Sequence, residues 1–148
     1  MDLTSARGEM TKETRARRIG LRLWWLVLSL IGVFLLPFVS ACFVGLFEVS
    51  AKDPAFWLKS IALQHVLPSG LVGAILGAFA AIPAGPRALT AALVPSTALC
   101  VFYLVLQLVA FPSPWSTVAF FAMFALTWIP LIGSAALVGV AMGRIKRN

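Results

Sequence analysis

The sequence predicts an all-α integral membrane protein of four transmembrane helices, arranged as two antiparallel hairpins. Three observations predict it. Of the 148 residues, 61% are hydrophobic and only 11% are charged, far from the composition of a soluble domain. No Asp, Glu, Lys or Arg occurs in 23–47, 60–86 or 88–143. A spanning helix needs ~20 apolar residues, so each gap crosses a bilayer and the last crosses it twice. Finally, the Lys and Arg residues gather on one side of such a fold. Arg7, Lys12, Arg15, Arg17, Arg18 and Arg22 precede the first apolar run, Arg87 lies between spans, and Arg144, Lys146 and Arg147 follow the last, leaving Lys52 and Lys59 on the other side. The positive-inside rule then makes both termini cytoplasmic in a bacterial-type inner (plasma) membrane. The same distribution explains the +7 net charge by topology and anionic headgroups, without a nucleic-acid partner, since no base-reading motif accompanies it.

Residues 1–20 are a basic cytoplasmic segment, 21–143 the transmembrane domain and 144–148 a basic tail. The first span, about 21–47, opens on Trp24 and Trp25, placed as anchors at the headgroup level. It contains Pro37 and continues through Val39-Ser40-Ala41-Cys42. That tetrad resembles a lipoprotein cleavage site, which would make Cys42 a lipidated terminus; the apolar run that continues to Phe47 argues for an uncleaved helix. In the second span, about 55–82, Asp53 is placed as N-cap and Pro54 as the first helical residue, where its missing N–H removes no bond. Trp57 anchors the outer interface and Lys59 reaches outward. Pro83 through Arg87 form a cytoplasmic turn. The third span, about 88–111, holds Pro95, Cys100 and Gln107. After a short loop, Trp115 anchors the start of the fourth span, about 115–143, which contains Pro130.

The second half overlays the first with slowly drifting offsets. Pro37 and Cys42 match Pro95 and Cys100, Asp53-Pro54 matches Ser113-Pro114, and Pro68 matches Pro130. Gly73, Gly77 and Ala81 then correspond to Ala135, Gly139 and Gly143. A tandem duplication of a two-helix unit is the implied origin, with a pseudo-two-fold axis along the membrane normal. Small residues four apart let helix backbones approach closely, so these six positions are expected packing faces, toward another helix of the chain or another copy.

His65 is the only histidine. With Gln64, Ser69, Ser40 and Gln107 it forms a candidate polar cluster in the outer leaflet, able to hydrogen-bond a headgroup, a carbonyl or a small solute. The bland alternative is that His65 meets interfacial water or a backbone carbonyl. No acidic residue lies inside a span, which argues against a proton-coupled carrier. Cys42 and Cys100 have no Cys-x-x-Cys or metal-ligand spacing, and no hydrolase constellation occurs. No catalytic residue, metal or cofactor is expected. The expected function is non-catalytic: an accessory or assembly subunit of a membrane complex, or a self-associating bundle, with lipids and a membrane protein or a second copy as partners. The alternative is a small oligomeric transporter or pore for a neutral or lipid-like solute. A lipid- or quinone-linked redox protein using His65 comes third, and haem would lack a second histidine.

Overall fold

A computed structural model describes residues 3–47, 52, 54–110 and 114–146, and for 3–13, 107, 114–117 and 120 it describes the backbone alone. The described residues are helical, with no strand. Helix α1 spans Leu3–Leu46, α2 Phe56–Ile61, α3 Leu67–Ala84, α4 Ala88–Ala110 and α5 Pro114–Ile145. A π turn, Ala62–Val66, joins α2 to α3, and a 3-10 turn, Gly85–Arg87, joins α3 to α4. Three helical stretches are long and apolar enough to cross a membrane: Thr14–Leu46, Phe56–Ala110 and Phe121–Ile145.

Several boundaries differ from expectation. The basic segment is continuous with the first span, because α1 begins at Leu3 and runs unbroken through Cys42. Asp53 lies outside the described residues. Pro54 sits in a turn, and helix begins only at Phe56 because Ala55 takes φ −95°, ψ 14°, outside the helical basin. Gly85 has φ +54°, a left-handed value that glycine adopts without Cβ strain, and it lets the chain reverse.

The packing inverts that of a soluble globule. Its core contains many small residues, with Ala80, Ala91, Ala92 and Ala135 at 0% exposure around Val72, Leu76, Leu99 and Leu131. Large apolar side chains such as Phe34, Phe38, Ile129 and Leu137 face outward. Lipid solvates such chains as well as a protein interior does, so close backbone approach takes over as the cohesive force.

Helix α3 is central and touches α1, α4 and α5. A Cβ added at Gly77 would lie 2.6 Å from the Ala135 carbonyl oxygen, and one at Gly73 would strike the Leu131 backbone and the Ser134 hydroxyl. Gly73 and Gly77 therefore press α3 directly on α5, with both chains running the same way. Gly139 faces Ala88 and Ala92, and Gly143 faces Ala88, so these two rungs of the second ladder are turned toward α4 while Ala135 meets Gly77 on α3.

Among the described residues, four side chains bond backbone carbonyls of distant segments, and the acceptors have a common cause. Tyr103 donates to the Val33 carbonyl at 3.2 Å, Ser40 to Gln64 at 3.2 Å, Trp24 Nε1 to Phe79 at 3.1 Å, and Lys146 Nζ to Ile82. Each acceptor stands four residues before a proline: Pro37, Pro68, Pro83 and Pro86. Proline has no N–H, so the carbonyl four residues back loses its helical partner. In hydrocarbon such an oxygen costs several kcal/mol unless satisfied internally. The prolines at these four places thus create sockets, and neighbouring segments fill them.

Candidate functional site

The stripe His65, Ser69, Gly73 and Gly77 repeats every four residues and looks toward α5. Its counterpart on α5 is Thr127, Leu131 and Ala135. The upper contact pairs His65 with Thr127, Nδ1 to Oγ1 at 3.3 Å, whereas Gly73 meets Leu131 and Gly77 meets Ala135. Between the upper two contacts α3 advances two turns while α5 advances one. Ser69, the middle residue, has no opposite number, and a cavity of about 230 Å³ opens there.

Leu36, Pro37 and Ser40 from α1 line the cavity, with Gln64 and His65 from the π turn and Ser69 from α3. Leu99, Cys100 and Tyr103 enter from α4, and Met123, Phe124, Thr127, Trp128 and Leu131 from α5. Leu36, Ser69, Leu99, Cys100 and Leu131 form a buried floor, while Pro37, Gln64 and Trp128 are exposed at the rim. No acidic or basic side chain other than His65 takes part among the described residues, so the site is neutral and largely apolar, with a few polar atoms.

Three of the hydroxyls are committed. Ser40 donates to the Gln64 carbonyl, Tyr103 to Val33, and Thr127 to the Met123 carbonyl at 3.0 Å. Ser69 differs. Ser29, Ser96, Thr127 and Ser134 each donate to the carbonyl four residues back in their own helix. Ser69 is fully buried at 0% exposure, yet its hydroxyl has no partner among the described residues. An orphaned hydroxyl costs about 1–3 kcal/mol, and this one lies in the cavity wall with no surface open to water.

The sequence-predicted residues divide accordingly. His65, Gln64, Ser69 and Ser40 line one cavity. The Gln107 side chain lies outside the described residues. Thr127, Tyr103 and Cys100 complete the wall unforeseen. A signal for Thr127 existed, since it stands 62 residues after His65, the same offset as Pro130 from Pro68. Of the expected anchors, Trp57 is 77% exposed, while Trp24 and Trp25 pack against the core. The Trp115 side chain lies outside the described residues. The other cysteine, Cys42, is exposed on α1, away from this cavity. No known protein family, curated protein or solved structure matches this chain.

Proposed function

We propose that this is a four-pass inner-membrane protein that binds a small, neutral, lipid-like molecule in the cavity, without catalysis, as a carrier does. The unpartnered Ser69 hydroxyl, buried at the wall of a largely apolar space, carries this reading. The neutral lining suits an uncharged solute, because an ion would have no counter-charge there. Pro37, inside α1, sits in the cavity wall.

The four-pass topology rests on length. At ~1.5 Å per residue, Phe56–Ala110 is far longer than the ~30 Å hydrocarbon core, so it passes twice, turning at Gly85–Arg87. The four passes then form two antiparallel hairpins. Arg17, Arg18 and Arg87 line one groove, which supports placing the N-terminal basic residues and this turn on the cytoplasmic side. The tandem duplication belongs to the same reading; contact between the corresponding positions His65 and Thr127 fits an axis between α3 and α5.

An accessory subunit docking through its small-residue faces is less favoured, because Gly73, Gly77 and Gly139 are consumed inside the chain. The test is thermal unfolding of the detergent-solubilised protein with medium-chain alcohols, methyl ketones and ethers. Saturable stabilisation by at least one class is expected, and its loss in Ser69→Leu, which fills the cavity. If no class stabilises the wild-type protein, the binding reading is wrong.

A further inference from the structure

We propose that the ligand of this cavity presents a hydroxyl group, donating to His65 Nε2 and accepting from Ser69. The inference rests on the binding function proposed above and assigns its head group. The Thr127 hydroxyl has one proton, and the Met123 carbonyl at 3.0 Å takes it. The Thr127 oxygen can then only accept from His65 Nδ1, 3.3 Å away. The neutral imidazole is held with its proton on Nδ1, and Nε2 carries a lone pair that no described residue uses. One turn further, the Ser69 hydroxyl is unpartnered in the wall of the same cavity but covered by its neighbours, so it reaches a ligand oxygen once the side chains over it shift.

A lone pair and an O–H on one helix stripe form a complementary pair. A ketone or ester only accepts, so it satisfies Ser69 and sets its oxygen against the Nε2 lone pair. An ether has the same defect. An ammonium would donate to both but would bury an unpaired charge. A single hydroxyl serves both groups, which selects an alcohol or phenol, and a hydroquinone over its quinone.

The single histidine makes this measurable. Protein labelled with ¹⁵N-histidine and purified on a tag without histidine gives one imidazole pair. Without ligand, Nδ1 is expected in the protonated range and Nε2 in the bare range. Adding 1-decanol should move the Nε2 resonance upfield, and 2-decanone and methyl nonyl ether should leave it in place. The alcohol should bind about tenfold tighter than the ketone, and Thr127→Val should reduce that preference by freeing the tautomer. An Nε2-protonated ring in the unliganded protein overturns the assignment. So does equal binding of alcohol and ketone, which leaves the cavity function standing. If none of the three binds, the cavity function falls with it.

Discussion

Tyr103 shows how a single side chain holds this molecule together. Its hydroxyl serves a carbonyl that Pro37 has stripped of its own partner, so Tyr103→Phe leaves Val33 unsatisfied in an apolar setting. The expected cost is about 1 kcal/mol, measured by reversible unfolding in mixed micelles, since hydrogen bonds between membrane helices are worth about that much. Glycines offer a sharper contrast within one helix. A methyl at Gly77 meets the Ala135 backbone, whereas at Gly70 it meets nothing within 4 Å. Gly77→Ala is expected to destabilise by about 1–3 kcal/mol through overpacking. Gly70→Ala should be neutral or stabilising by up to about 1 kcal/mol, because alanine is the better helix former. Equal effects of the two in the same unfolding assay would refute the claim that Gly77 is a packing position.

At the scale of elements, the π turn and Pro68 act together. An i→i+5 turn inserts one extra residue and rotates what precedes it by about 100° relative to a continuous α-helix. The bulge lets the chain approach Pro68 while the Gln64 carbonyl turns out to meet Ser40. Pro68→Ala restores an N–H that competes for that carbonyl. Ser40→Ala should therefore destabilise the wild-type protein and be nearly silent in the Pro68→Ala background, a coupling read by a double-mutant cycle. Undiminished cost of Ser40→Ala in both backgrounds would separate the proline from the hydrogen bond.

Across the whole molecule, small residues inside and large apolar ones outside describe a body made for lipid. The proposed topology predicts that Lys52→Cys, in a Cys42→Ser/Cys100→Ser background, reacts with a membrane-impermeant maleimide in intact cells. Arg87→Cys should react only after permeabilisation; the opposite pattern would invert the fold. Much of this architecture was legible, because charge is so costly in hydrocarbon that its gaps outline the apolar helices. Gly73, Gly77 and Gly139 were readable as packing positions, since four-residue spacing puts them on one face. Which neighbour each met was not, because small faces fit many partners and the choice depends on crossing geometry. His65, Ser69 and Ser40 were legible as scarce polar residues. Their meeting with Tyr103 and Thr127 depends on a register slip between α3 and α5 that no local pattern encodes.

The proline sockets also impose an order in time. The Val33 carbonyl is exposed as soon as the first helix forms, yet Tyr103 is synthesised 70 residues later. Until α4 arrives, the nascent first helix carries an unmet acceptor into the bilayer and gains from staying beside the insertion machinery. Chains truncated before Tyr103 should therefore release the first helix into lipid more readily when Pro37 is replaced by alanine, as measured by crosslinking to the translocation channel. The same residue that fastens the finished bundle thus sets how long its beginning must wait.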